Sequence, residues 1–107
     1  MLPKSRRLTS AEVSEVIARG KSLRGAVLSI KHLVSSGGLQ AAVVAPKSLA
    51  RRAVDRNRLR RALYRALKEL PGTPFNGLQA VFFVRSIPPA ALTTAFREEL
   101  MLLVKKL

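Results

Sequence analysis

An arginine-rich segment at positions 51–65 contains the side chains of this chain best suited to chemistry. Seven of its fifteen residues are arginine, and Asp55 is its one acid. Leucines recur from within it at i, i+4, i+8 and i+11, a spacing that stacks them into one stripe when a helix turns about 100° per residue. The pattern predicts a helix with an apolar face for a core and a basic face for an anion. The stripe consists of Leu59, Leu63, Leu67 and Leu70.

The basic face of this predicted helix is unusual because like charges lie three and four residues apart. Solvated faces usually mix signs, with an acid four residues before a base. Guanidinium groups bind phosphate through two parallel hydrogen bonds, which an ammonium group cannot form. We therefore favour a polyanion-binding face over a merely solvated one. The face holds Asn57, Arg58, Arg61, Arg65 and Lys68, and Arg56 and Arg60 border the apolar stripe.

Length and charge bound the class of protein. A chain of 107 residues predicts one domain, spanning 1–107, with a modest core. A net charge of +14 points to nucleic acid first and to an acidic membrane surface second. The absence of cysteine excludes disulfides and thiolate metal sites. We expect a soluble, cytoplasmic protein, because no apolar run resembles a signal peptide or could span a bilayer.

Capping and breaker residues delimit three predicted helices. The first begins after Thr9, which has capping-box spacing to Glu12, and ends at Gly20. The second runs from about Arg51 to about Leu70 and stops at the breaker 71–74. The third covers about 93–106, after the proline pair 88–89. Its apolar stripe is Leu92, Phe96, Leu100, Leu103 and Leu107.

Strand patterns occupy 26–33, 39–45 and 78–84. The loop 35–38 is expected to close a hairpin between the first two, and the second is apolar enough to be covered on both faces. The strands before and after the arginine-rich helix are candidates for a parallel pair joined by a crossover. The order predicts an α+β fold: a single-domain, two-layer sandwich with helices packed on a small mixed sheet and a basic central helix.

Catalysis by the protein itself is not indicated, so we predict no catalytic and no metal-binding residue. The single histidine, His32, lies in a strand pattern that is typical of a structural role. Glu98 and Glu99 are expected to face solvent on a helix, and no His, Asp or Glu set has metal-ligand spacing. Base stacking needs aromatic side chains, yet Phe82 and Phe83 point to opposite sheet faces and Phe96 fits a core. Recognition of an RNA backbone and shape is therefore favoured.

Arg56-Asn57-Arg58, followed by Leu59-Arg60-Arg61 on a basic helix, resembles the motif of the protein subunit of bacterial ribonuclease P. A basic segment at 47–53 leads into the motif. The likeness extends over nearly the whole chain, including 6–8, 19–21 and 78–85. It implies an αβββαβα fold whose crossover through the motif helix is left-handed.

The resemblance implies a function as well as a fold. The chain would be the accessory, non-catalytic subunit of an endonuclease, with the catalytic RNA and precursor tRNA as partners and with neither a membrane nor another protein required. It would bind the 5′ leader and assist hydrolysis that depends on Mg²⁺ held mainly by the RNA. The predicted contacts with the catalytic RNA are Lys47, Arg51, Arg52, Arg56, Asn57, Arg58, Arg60, Arg61 and Arg65.

The family binds the leader in a cleft between the first helix and the sheet, which here would involve Arg6, Arg7, Val13 and Ile17. Many members carry phenylalanine where this chain has Val13 and Ile17, and an aliphatic side chain cannot stack on a base. Two aliphatic residues at i, i+4 are also typical of a core, so both interpretations stay open. Ser48 replaces the second residue of the family's Lys-Lys pair, which removes one expected phosphate contact.

Two other classes compete with this interpretation. A general or ribosome-associated RNA-binding protein would explain the charge but not the setting of the motif. A peripheral membrane protein would need the apolar face of the basic helix free to insert, whereas a chain of this size needs that face for its core.

Overall fold

The computed structural model describes residues 7–72, 74–89 and 91–107. The predicted α+β class and the αβββαβα order are confirmed. The elements are α1 (Ser10–Arg19), β1 (Lys21–Arg24), β2 (Leu28–Val34), β3 (Gln40–Val44), α2 (Ala53–Glu69), β4 (Leu78–Val84) and α3 (Leu92–Val104).

The four strands form one mixed sheet in the order β1-β2-β4-β3. The predicted parallel pair around the basic helix is confirmed, because β3 runs parallel to β4. The predicted hairpin between 26–33 and 39–45, which correspond to β2 and β3, is wrong, because β4 lies between these two strands. β4 pairs with both, so that Phe82 is opposite Ile30 on one side and opposite Val43 on the other. The central position suits β4, whose apolar residues can be covered on both faces.

Strand β1 is absent from the strands that the residue pattern predicts, although the family order includes it. Its four residues, Lys-Ser-Leu-Arg, contain one apolar side chain and therefore show no alternation. Antiparallel pairing with β2 holds this edge strand in place, with Leu23 opposite Ile30. Its position follows from backbone hydrogen bonds to a neighbour rather than from its own side chains.

Helices α2 and α3 pack on one face of the sheet and form the main core. Leu67 is only half-buried, and Ala66 takes the buried position beside Leu63. Leu107 was predicted in the stripe of α3, but it is 50% exposed because the helix ends at Val104. The core includes Leu28, Ile30, Leu59, Leu63, Ala66, Leu70, Phe82, Phe96, Leu100 and Leu103.

Helix α1 lies across the opposite face of the sheet. Val16 and Val81 are both fully buried there, outside the main core. Lys31 of β2 donates a hydrogen bond from Nζ to the carbonyl oxygen of Ile17 at 3.1 Å. Gln79 of β4 donates from Nε2 to Glu12 Oε2 at 3.2 Å. These contacts hold α1 over β2 and β4.

The predicted capping box and the end of α1 at Gly20 are confirmed. Gly20 is in an extended conformation, with φ −72°, so its role is not to supply a left-handed backbone. A Cβ atom at this position would lie 2.4 Å from the carbonyl oxygen of Val16 and 3.0 Å from that of His32. Glycine is required because α1 ends in close contact with the backbone of β2.

Glu99 does not face solvent, contrary to the prediction. Its Oε2 atom accepts hydrogen bonds from the backbone N–H groups of Val27, at 2.5 Å, and Leu28, at 2.7 Å. A Cβ at Gly25 would lie 2.5 Å from the same oxygen, so glycine leaves room for this contact. Glu98 is exposed, as predicted. Glu99 thus fastens α3 to the turn between β1 and β2.

Candidate nucleic-acid interface

The orientation of α2 matches the faces predicted from its sequence. Leu59 and Leu63 are buried, whereas Asn57, Arg58, Arg61, Arg65 and Lys68 are exposed, and Arg56 and Arg60 are half-buried at the border. The helix begins at Ala53 rather than Arg51, because Arg52 is the N-cap residue and adopts an extended conformation.

Two arginines of the motif region hold the start of α2 in place. Arg56 Nη1 donates to the carbonyl oxygens of Ala50, at 3.0 Å, and Arg51, at 2.7 Å, so it ties the preceding segment to the helix. Arg52 binds the carboxylate of Asp55 through two nitrogens, at 2.8 and 3.2 Å. The hydrogen bond from Arg52 holds the pKa of Asp55 below its usual value. These two arginines therefore shape the surface as well as adding charge to it.

The remaining polar side chains of the motif are arranged along the helix surface. Arg60 donates from Nη1 to Asn57 Oδ1 at 2.9 Å, which orients the asparagine. Arg58, Arg61 and Arg65 are exposed and form no ion pair with an acid among the described residues. They are not sequestered among carboxylates, which is the arrangement that would have contradicted a polyanion-binding face.

The segment before α2 extends this basic surface. Lys47 and Arg51 are exposed, as is Ser48 between them. Backbone hydrogen bonds from Leu49 and Ala50 to the carbonyl oxygen of Pro46, at 3.0 and 3.2 Å, fold the segment into a turn. The turn and α2 therefore hold the cations at 47, 51, 58, 61 and 65 on a defined backbone.

The described residues of the predicted leader cleft lie on two different elements, α1 and the edge of β3. Val13 is half-buried and Ile17 is 40% exposed, while Val16 between them is the buried residue of α1. Arg7 lies at the edge of β3, opposite Ala41. Burial raises the pKa of Tyr64 on α2, and the positive charge of Arg7 lowers it. Arg7 is thus placed beside the motif helix. Arg6 lies outside the described residues.

An open groove borders α1 on the outer face of β1, β2 and β4. Phe83 is half-buried in it, whereas Phe82 is fully buried on the other face, so the prediction that the two rings point to opposite sheet faces is confirmed. The groove has a volume of about 450 Å³. Its side chains include Ser22, Arg24, Ser29, Lys31 and Phe83.

These groove residues were missed as candidate contacts, although a signal existed. The alternation in β2 places Ser29 and Lys31 on one polar face, and Phe83 follows the same alternation in β4. The sequence did not show which part of that face α1 would leave uncovered, because this depends on where the ten-residue helix crosses the sheet.

The acidic residues and His32 do not form a metal-binding group in the described part of the chain. Residues 7–72, 74–89 and 91–107 include no group of three or more His, Cys, Asp or Glu residues that could hold a metal ion. Burial, with a smaller effect from Lys21, lowers the pKa of His32. No helix in the described ranges is long and apolar enough to cross a membrane.

Comparison with known proteins decides the family. The family model for Ribonuclease P matches residues 2–107. The chain belongs to the ribonuclease P protein family. A ribonuclease P protein component from Pseudanabaena sp. (strain PCC 6903) is 34% identical over 90 residues, which cover 81% of this chain and 78% of that protein. Members of this family are components of an endoribonuclease complex with an RNA partner, which also connects the chain with tRNA processing.

Solved ribonuclease P proteins have the same fold as this chain. The protein from Staphylococcus aureus superposes with a TM-score of 0.80 at 17% identity, covering 96% of this chain and 95% of that one. The protein from Thermotoga maritima gives a TM-score of 0.78 at 20% identity, with coverage of 94% and 96%. The ribonuclease P fold is therefore retained here at low sequence identity.

Proposed function

We propose that this chain binds the catalytic RNA of ribonuclease P and the 5′ leader of precursor tRNA, and that it assists RNA-catalysed, Mg²⁺-dependent removal of the leader. One observation carries the proposal: α2 exposes Arg58, Arg61 and Arg65, none of which forms an ion pair with a described acid, on the motif helix of a ribonuclease P protein. Phosphates supply most of the affinity for nucleic acid, and such a row of cations supplies the counter-charge.

The two basic surfaces suit two parts of the RNA. The exposed face of α2 is rich in arginine, which fits the backbone of a folded RNA. The groove beside α1 combines Arg24 and Lys31 with the half-exposed ring of Phe83, which fits a single strand whose bases can stack. In this arrangement the protein orients the leader relative to the catalytic RNA and takes no part in bond cleavage.

The protein's own carboxylates do not fit a Mg²⁺ site. Asp55 is bound by Arg52, Glu99 by two backbone amides, and Glu69 by Arg97 at 2.8 Å. Mg²⁺ requires several oxygen ligands in near-octahedral geometry, and no described group of acids converges in that way. We therefore assign the Mg²⁺ to the RNA, where the ion would supply the Lewis-acid chemistry.

A reconstitution assay tests this function. Purified protein is mixed with a bacterial ribonuclease P RNA and precursor tRNA at low Mg²⁺ concentration. We expect stimulated cleavage at the correct 5′ position, and no cleavage by the protein alone, because the cations of α2 offset repulsion between the two RNAs. Failure to stimulate any matched bacterial RNA, with RNA affinity retained, would favour the alternative of a general or ribosome-associated RNA-binding protein.

Replacing Phe83 with alanine is expected to weaken binding of precursor tRNA to the assembled enzyme without affecting binding of mature tRNA. One base stacked on an aromatic ring contributes about 1–3 kcal/mol, which corresponds to a loss of about 5- to 150-fold in affinity. Phe83→Trp keeps a stacking surface and is the matched control. The measurement is the dissociation constant for tRNA with and without a 5′ leader. An equal loss for both substrates would show that Phe83 does not contact the leader.

A further inference from the structure

A groove separates the exposed side of α2 from the first turn of α3. Its volume is about 460 Å³. Three arginines of α2 line one wall, and Thr93 and Thr94 of α3 line the other. The arginines are Arg58, Arg61 and Arg65.

The arginine wall has one sign of charge throughout. Its three residues follow the spacing i, i+3, i+7, so they form a row about 10 Å long on one side of the helix. At the far end of the same helix pair, Glu69 of α2 and Arg97 of α3 form an ion pair at 2.8 Å. Within the described ranges, none of the three arginines of the groove forms such an ion pair with an acid. Asp55 interacts with Arg58 only through its charge and is itself bound by Arg52, so the row keeps an excess of positive charge that attracts an anion.

The opposite wall adds hydrogen-bond donors. Ala91 is the N-cap residue of α3, and no side-chain hydrogen bond caps the helix. The first turn contains no acidic residue, so the backbone N–H groups there keep their capacity for an anion. The Thr93 and Thr94 hydroxyl groups border the same space. The arginines and these donors converge on one groove from two different helices.

We propose that this groove is a phosphate-binding pocket that holds a backbone phosphate of the RNA partner. The proposal rests on the proposed function and extends it, because it brings the first turn of α3 into an interface otherwise assigned to α2. Guanidinium groups bind a phosphate oxygen pair in a planar geometry, and the donors of α3 face the remaining oxygens. The pocket fixes the RNA backbone between two helices rather than on α2 alone.

Thr94→Glu tests the pocket without touching the arginines. Thr94 is exposed in the first helical turn, where a glutamate favours the helix, so the variant is expected to unfold at the same or a higher temperature. Its carboxylate places a negative charge in the groove. Inorganic phosphate and the catalytic RNA should both bind about fivefold more weakly, the factor that one unit charge about 4 Å away gives in water. Thr94→Gln matches glutamate in size, carries no charge and loses the same hydroxyl group, so the difference between the two variants isolates the effect of the negative charge.

Phosphate binding is measured from shifts of the Thr93 and Thr94 backbone amide resonances during titration, and RNA binding from equilibrium titration at constant salt. Equal affinities of Thr94→Glu and Thr94→Gln for RNA would overturn the proposal. A loss for phosphate alone would also contradict it, because the pocket would then serve a free anion. If the arginine variants bind RNA more weakly while Thr94→Glu does not, the proposed pocket is rejected and the proposed function stands. Phosphate binding without stimulated cleavage would instead contradict the proposed function.

Discussion

Replacing Arg58 and Arg61 together with alanine is expected to weaken binding of the catalytic RNA about 15-fold at physiological salt. Each lost phosphate contact removes a factor of roughly 4 at 0.15 M salt, since affinity depends on salt with an exponent of about 0.7 per contact for single strands. Stability should be nearly unchanged, because both side chains are exposed and neither forms an ion pair with a described acid. Filter binding and thermal unfolding measure the two quantities.

The salt dependence of binding separates specific phosphate contacts from net charge. If about six phosphates are neutralised, log K for the wild type falls with a slope of about −4 to −5, and the double variant should be shallower by about 1.4. Lys105→Ala with Lys106→Ala removes the same charge from exposed positions after α3 and is the matched control. An equal loss in both double variants would mean that affinity follows total charge. Unfolding of the arginine variant would mean that those side chains belong to the fold.

Replacing Glu99 with alanine is expected to destabilise the protein by about 3 kcal/mol, a fall in Tm of roughly 10–20 °C for a domain of this size. The carboxylate accepts two backbone N–H groups at the turn between β1 and β2. Its removal leaves both donors without that partner in a partly buried position, where an unpaired polar group is costly. Glu99→Gln keeps one acceptor oxygen and should show an intermediate loss.

The neighbouring residue provides the control for this prediction. Glu98 lies on the same helix but is exposed, so Glu98→Ala should change the free energy of unfolding by less than about 0.5 kcal/mol. Urea unfolding followed by circular dichroism compares the three variants. Similar stabilities of Glu98→Ala and Glu99→Ala would show that the contact between α3 and the turn contributes nothing to folding.

Local patterns in the sequence predicted the helices and their faces well. The helical period separated buried Leu59 and Leu63 from exposed Arg58 and Arg61, because neighbours on a helix are determined by sequence separation alone. The capping box at Thr9 was recognisable for the same reason. The basic surface of the candidate site could therefore be predicted residue by residue, including the border positions of Arg56 and Arg60.

Several contacts between distant parts of the chain escaped prediction. The partners of Glu99 are backbone groups about seventy residues earlier in the chain, and no side-chain pattern marks them. The groove around Phe83 exists because α1 covers only part of the outer sheet face. The groove lined by Thr93 and Thr94 arises where α2 and α3 meet. Each of these features depends on packing between elements, which periodicity within one element does not contain.

The central place of β4 in the sheet has a consequence for synthesis on the ribosome. Strands β2 and β3 each pair with β4, which is made only after α2. Until residue 84 has emerged, two unpaired strand edges and a strongly cationic helix are exposed together, next to ribosomal RNA. Final assembly must wait for this late strand, so the nascent chain passes through a period in which electrostatic attraction to the wrong RNA competes with folding.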